Sequence, residues 1–407
     1  MKFIKIITQT LLALFLLVVA ACNDSNLTYI ASVDVKVSMP TEIKADYAFS
    51  NKEVILRSDR LTYTATTDEN GVAHFSEIVP DIYNIYCSWE LDGDQYVEMS
   101  NTAVEHRPAL ISATLTKNKI FDPIQINIQT LLSVKQKLLI SKIYASGTRY
   151  PNNSVFHADN YVEIFNNSDE VQYLDGFFLA LVEGDSPAAF PSKDYADYVH
   201  ARQVYRFPGA GTDYPVDPGK SVVIANSAYN HTLAVPRSVN LEDADFEFKG
   251  SLYNNNDFVM GMDLIYSTYV GIRQINLQRG GVNGLCLFED DIANVINYPI
   301  LYVPGKTSGN MFIRIPAKNV VDGVEVLSFR TTGIDVNLKR VPAFIDASYT
   351  NISSTSGYNN ESMERKVDKT RSTSDRVYLI DTNNSQNDFV KITTPTPRDY
   401  TKSLLNQ

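Results

Sequence analysis

Cysteine, tryptophan and positive charge are all scarce in this chain. Three cysteines in 407 residues cannot frame a disulfide-stapled fold. Lys and Arg number 36 against 47 Asp and Glu, a formal charge of -11. A surface that neutralises phosphates needs clustered positive charge, so nucleic acid is excluded as a partner. No apolar run approaches the roughly 20 residues that cross a bilayer as a helix. Glycine (19) and proline (17) are too few for a collagenous or low-complexity chain. The five histidines, His74, His106, His157, His200 and His231, are scattered and show no metal-ligand spacing. No Gly-x-Ser-x-Gly elbow and no His-Glu-x-x-His occurs.

What is present points to strands. Tyrosine (24) and phenylalanine (19) are plentiful, and β-branched residues recur in short alternating runs. The hydrophobic share of 44% is that of a globular protein, and the length suggests about two to three domains at roughly 150 residues each. An all-β protein is expected.

Lys2 and Lys5 precede an unbroken apolar run from Leu11 to Ala21, the pattern of a secretory leader. The run ends Val19-Ala20-Ala21-Cys22, which resembles a bacterial lipobox. That resemblance implies cleavage before Cys22 and diacylglycerol on its thiol, with residues 1–21 as signal peptide and 22–30 as tether. Two or three acyl chains hold a folded domain on a membrane, at about 0.8 kcal/mol per buried methylene. Asn23 stands where Asp resembles an inner-membrane retention signal, which directs the expectation to the outer membrane. Asp24 resembles the acidic surface-export signal of Bacteroidota lipoproteins. Cys87 and Cys286 each sit in an apolar stretch and read as buried free thiols.

Val33-Asp34-Val35-Lys36-Val37 alternates with period two, and Tyr63 to Phe75 reads as a hairpin turning at Asn70-Gly71. A Pro80-Asp81-Ile82-Tyr83 turn then enters another strand. The order resembles a carboxypeptidase-regulatory-like, prealbumin-like sandwich over residues 31–117, with Asp81 in place of the family's usual Gly. In such families the module is a spacer, stabiliser or docking domain. Residues 118–137 form a connection.

Tyr161-Val162-Glu163-Ile164-Phe165-Asn166-Asn167-Ser168 followed by Leu174-Asp175-Gly176-Phe177-Phe178-Leu179 resembles a lamin-tail domain, an immunoglobulin-like β-sandwich, here over 138–400 with a 401–407 tail. Asp217-Pro218-Gly219 before an apolar strand, Gly284 to Phe288, Ser362 to Arg365 and Asp381 to Phe389 continue its order. Departures are Arg398 where Gly commonly follows Pro397, and long insertions at 185–201 and 229–269. The whole chain is similar to an uncharacterised Bacteroidota lipoprotein family, domain of unknown function 4876.

Candidate chemistry is sparse. Gly219-Lys220-Ser221 lacks the Gly a phosphate loop requires five positions earlier, where Tyr214 stands. Glu242, Asp243 and Asp245, and Glu289, Asp290 and Asp291, could supply oxygens to calcium or be solvated loops. Asp381 to Asp388, with alternating Asp, Asn and Ser oxygens, reads as turn capping by Asx side chains, a cation loop being the alternative. Tyr195, Tyr198, Tyr205, Tyr214, Tyr229, Tyr253, Tyr266 and Tyr269 suit recognition loops or strand packing. Asn152-Asn153-Ser154 and Tyr253 to Asp257 read as loop tips, and 351–376 as a mobile loop.

The expectation is therefore a non-enzymatic binding or accessory lipoprotein of the outer membrane, with no cofactor, no metal and no catalytic residues. By analogy with other lipoproteins of that phylum, its expected partner is a TonB-dependent receptor or another outer-membrane protein, with an iron-related nutrient as cargo. A structural or adhesive surface protein is the alternative, and a hydrolase with unrecognised geometry the third.

Overall fold

The computed structural model describes residues 30–44, 50–101, 108–184, 190–191, 193–281 and 283–405. The leader, the lipid-attachment residue Cys22 and His106 lie outside these. Among the described residues no helix is long and apolar enough to cross a membrane. The fold is an all-β sandwich, in two compact units.

Of the described residues, the first unit takes 30–39, 50–88 and 113–130. Its Ala31–Ser38 strand pairs antiparallel with Val72–Ile78 and parallel with Ile124–Gln129. Period-two patterning explains the packing, since Val33, Val35 and Val37 are buried while Asp34 is exposed. A second sheet carries Thr62–Thr66, Glu53–Arg57, Asp81–Leu91 and Ala109–Ile120 in that order. Val54, Leu56, Tyr83, Ile85 and Cys87 are its buried face. At the hairpin, Gly71 takes φ +74° and the Asp68 carboxylate accepts from the amides of Asn70 and Val72. Asp81 needs no left-handed backbone, and its carboxylate accepts from Ile82 N–H and pairs with Arg60.

The second unit takes the described residues of 40–44, 89–101, 108–112 and 131–405. One seven-stranded sheet runs Met260–Gly261, Phe246–Glu247, Ser221–Ala225, Tyr161–Asn166, Leu138–Tyr144, Ser362–Arg365 and Phe389–Ile392. The other runs Ile300–Tyr302, Met311–Pro316, Tyr198–Arg206, Phe177–Val182, Leu285–Glu289 and Val320–Val324, with Asp263–Ser267 also on Tyr198–Arg206. Between them lies a core of Ile140, Val162, Ile164, Leu179, Leu181, Leu285, Leu287, Met363 and others. The outer faces are covered too: Leu139 and Phe165 pack with Leu379 and Tyr400, and Phe178, Cys286 and Phe288 pack with Ile313 and Ile315. Because both faces are buried, strands such as Leu138–Tyr144 read as continuous burial with no in-out alternation.

Two readings of the sequence need correction. The stretch 351–376 is not a mobile loop throughout, because Ser362–Arg365 is an interior strand paired on both sides. Its polar residues are those of a buried ionic layer, which hid it from a hydrophobicity reading. Likewise the insertion at 185–201 enters a central strand from Tyr198, and that at 229–269 adds Phe246–Glu247 and Met260–Gly261 to the first sheet by parallel pairing. Both remaining cysteines, Cys87 and Cys286, are buried and free, and burial pushes the Cys87 thiol up to about 12.

Candidate functional site

Loops from distant parts of the chain converge on the second unit around His157. A hairpin of Thr148–Arg149 and Val155–Phe156 opens one side. Gly147, at φ +66°, lets it start: a Cβ there would sit 2.5 Å from the Phe156 carbonyl oxygen. At its tip the Asn152 side chain accepts from Ser154 N–H and Oγ–H, and Asn153 takes φ +68°. His157 follows. Its Nε2 lies 3.0 Å from Ala145 O, so it donates there, and Nδ1 accepts from Tyr253 O–H at 3.2 Å. Burial pushes this imidazole down to about 4, so it is neutral at pH 7. Phe156 also meets the His231 ring at 5.3 Å. The two polar loop tips singled out in the sequence are thus joined.

The 226–233 and 250–258 loops are tied crosswise. Buried Glu247 accepts from the amides of Ala228 and Asn256, and burial raises its pKa. Asn256 donates to Ala228 O and accepts from Phe258 N–H. Ser227 Oγ–H reaches Asn254 O, Tyr229 O–H reaches Asn255 O, and Asn255 closes a reciprocal pair with Gly250. Loops so braced lose little entropy on binding. They carry apolar side chains outward: Phe258 is 99% exposed, Leu233 85% and, on the neighbouring 268–272 turn, Val270 100%. These three are the most exposed large hydrophobic residues described.

Beneath the loops, Asp159 is wholly buried. One oxygen accepts from Tyr144 O–H and Ser238 Oγ–H, while Oδ1 has no hydrogen-bond partner. Burial pushes its carboxyl up to about 6. Residues 274–278 thread the interior without forming a strand, their backbone held by side-chain amides: Gln203 bonds Gln274 O and Asn276 N–H, and Asn226 donates to Ile275 O.

Glu242 and Glu289 are exposed, and most of the other sequence candidates are structural. Asp243 and Asp245 pair with Arg398, at 3.1 and 2.6 Å, and Arg398 holds φ +61° where the lamin-tail pattern has Gly. Asp291 caps the Ile292–Val295 helix, and Asp290 accepts from Asn294, Tyr298 and Asn319. Asp381 and Asp388 lie on the Arg365 guanidinium at 3.3 Å, whose Nη2 also donates to both Asp322 oxygens at 2.9 and 3.0 Å. Of the tyrosines, Tyr195 donates to Glu183, Tyr266 to Met311 O and Tyr205 to Arg273 O. Tyr198 stacks under Arg314, Tyr214 packs on Phe246 and Tyr269 accepts from Arg202. Tyr229 and Tyr253 alone among them brace the converged loops. Sequence reading missed Phe258 and Leu233 as the displayed residues; an isolated large apolar residue after Asn254-Asn255-Asn256-Asp257 was the available signal.

Comparison with known proteins bears on the fold. A family model described as "Protein of unknown function (DUF4876)" matches residues 217–396. The chain is similar to the crystal structure of a DUF4876 family protein from Bacteroides thetaiotaomicron, with 24% identity and a TM-score of 0.58, over 92% of this chain and 98% of that one. A candidate adhesin from Bacteroides ovatus aligns over 79% of this chain and 92% of its own at 9% identity; its TM-score of 0.20 is too low to inform fold or role. No curated protein sequence matches.

Proposed function

We propose that this chain is a lipid-anchored, non-enzymatic binding module of an outer membrane, a member of the family whose model matches its residues 217–396, and that the braced loops around Phe258 are its binding surface. The observation that carries the reading is the pairing of rigidity with exposure. Buried Glu247 and the Asn255 and Asn256 side chains hold loops whose outermost groups are bare hydrocarbon. Exposed apolar residues on a preorganised scaffold cost solvation in the free protein and are returned to favour when a partner covers them. Cys22 is the proposed lipid attachment, and a TonB-dependent receptor, with an iron-related nutrient as cargo, is the proposed partner by analogy with other lipoproteins of that phylum.

The test is capture from intact outer membranes with the full chain and with Phe258→Ala combined with Leu233→Ala. Recovery of a β-barrel receptor by the parent and at least tenfold less by the variant is expected. Equal recovery by both would remove the loops from the interface. Proteolysis of whole cells on the same culture reads out exposure of the protein at the surface.

An adhesive role is favoured by a separate feature. Ile300–Tyr302 forms an edge strand with all three side chains substantially exposed, beside Ile296 at 63% exposure. Unpaired apolar edges recruit further strands. Concentration-dependent self-association abolished by Leu301→Lys would support that reading against the first.

A further inference from the structure

We propose that a cavity of about 350 Å³ beside the hairpin tip, walled by Arg149, Tyr150, Pro151, Asn153, Pro236 and Arg237, binds a sugar carrying a carboxylate or sulfate group, with the anion on the two guanidinium groups. The inference rests on reading the converged loops as a binding surface, and names the ligand class for their charged side.

Charge is the first argument. Acidic residues outnumber basic ones across the chain, and Arg206, Arg314, Arg340, Arg365, Arg376 and Arg398 of this unit each meet a carboxylate. Among the described residues no carboxylate lies within ion-pairing distance of Arg149, Arg237 or Arg279. Two basic groups without an ion pair on the wall of one cavity focus the field that draws an anion in.

Geometry is the second. Arg149 is not a free surface side chain: its Nη1 donates to Asn153 O at 3.0 Å and its guanidinium lies over the Tyr358 ring at 5.5 Å. Arg279 lies over the same ring at 5.1 Å. Two like charges held against one ring, with no carboxylate between them, repel; an arriving anion relieves that repulsion. Lying over an aromatic face leaves the guanidinium N–H groups of Arg149 other than the one given to Asn153 O able to donate to a carboxylate or sulfate.

The walls supply the third. Tyr150 is fixed edge-on against Phe156 at 5.3 Å, and Pro151 and Pro236 are rigid rings, so the cavity offers flat apolar panels. A pyranose presents a C–H face suited to such panels and hydroxyls suited to the Asn153 amide, and a cavity of this size falls in the range of small-ligand sites. Inorganic anions would use the arginines and leave the panels without a role.

The test titrates the full chain with oligogalacturonate, its methyl-esterified form and a chondroitin sulfate oligosaccharide, following heat and salt dependence. Binding of at least one acidic sugar that weakens with added NaCl, and about tenfold or greater loss with the esterified form or in Arg149→Gln/Arg237→Gln, is expected. Lys306→Gln/Lys369→Gln, at exposed lysines elsewhere, should bind as the parent does. Thermal unfolding of each variant confirms that it folds. Failure of both acidic sugars, equal binding of acid and ester, survival of binding in the double arginine variant, or displacement by equimolar inorganic sulfate would each overturn the proposal. If membrane capture still depends on Phe258 and Leu233 in that event, the ligand class is wrong and the binding surface stands.

Discussion

Two arginine sites in the second unit show opposite uses of the same side chain. Arg365 is 2% exposed and sits among Asp322, Asp381 and Asp388, with its Nε donating to Ile140 O. Burial pushes the Asp322 and Asp388 carboxyls up while the guanidinium pulls them down. Arg149 and Arg279 lie over the Tyr358 ring, Arg149 also donating to Asn153 O, and Arg237 lines the cavity beside Arg149, with no described carboxylate in ion-pairing distance. The first site is closed on itself and joins strands across 43 residues of sequence, from Asp322 to Arg365. The second is open and has capacity left for something outside the chain. The difference teaches that an arginine's role here is read from whether its counter-charge lies within the fold.

The largest expected effect would come from Arg365→Met. Removing the cation strands three buried carboxylates, and loss of one member of a buried ionic group costs about 3–5 kcal/mol, measured by urea unfolding at pH 7. A loss under 1 kcal/mol would break the comparison, because it would make the closed site dispensable too.

Next in size is a pH effect at Asp159, the buried acid beneath the open site. Its folded pKa of about 6 lies above the ordinary value of 3.8, so the fold prefers the protonated form. The stabilisation is therefore complete below about pH 4 and is lost as pH rises through about 6, on the order of 2–3 kcal/mol. Asp159→Asn should flatten that part of the stability profile. His157 works in the opposite sense: its pKa is depressed to about 4, so its contribution is present above about 6.5 and lost as pH falls through 4. Proton NMR of the imidazole should show a neutral ring at pH 6, and a charged one would mean that the loops are open in solution.

Smaller again is Arg398→Gly. The substitution relieves a non-glycine residue at φ +61° but removes partly exposed pairs to Asp243 and Asp245, and each effect is about 1 kcal/mol or less. A net change within about 1 kcal/mol by thermal unfolding is expected. Smallest of all, Arg149→Gln/Arg237→Gln should leave stability within about 0.5 kcal/mol while changing ligand binding. A large stability loss there would erase the contrast with Arg365.

Much of the fold was legible because strand signals are local. Alternating valines at 33, 35 and 37, the Asn70-Gly71 turn and the apolar run before Glu289 each state their structure within a few residues. The strand Ser362–Arg365 was not legible as part of an interior sheet, since its Glu364 and Arg365 look like solvent-facing charges until Lys142 and Asp322 are brought beside them. Arg398 stood out as a departure, but its partners lie about 155 residues away, at Asp243 and Asp245. For the candidate site, the loop tips at Asn152 and Tyr253 were legible from their turn residues. Their union through His157 was not, and neither was the bracing role of Tyr229 and Tyr253.

By itself the amino-acid sequence determined an all-β chain and those of its strands that alternate in pattern, because the twofold period of a strand and the conformational demands of its turns are properties of neighbouring residues. Tertiary structure alone decided which charges are cancelled and which are left bare. Coulomb attraction and burial depend on distance in space, and only folding brought Asp388 to Arg365 while leaving Arg149, Arg237 and Arg279 without a described carboxylate.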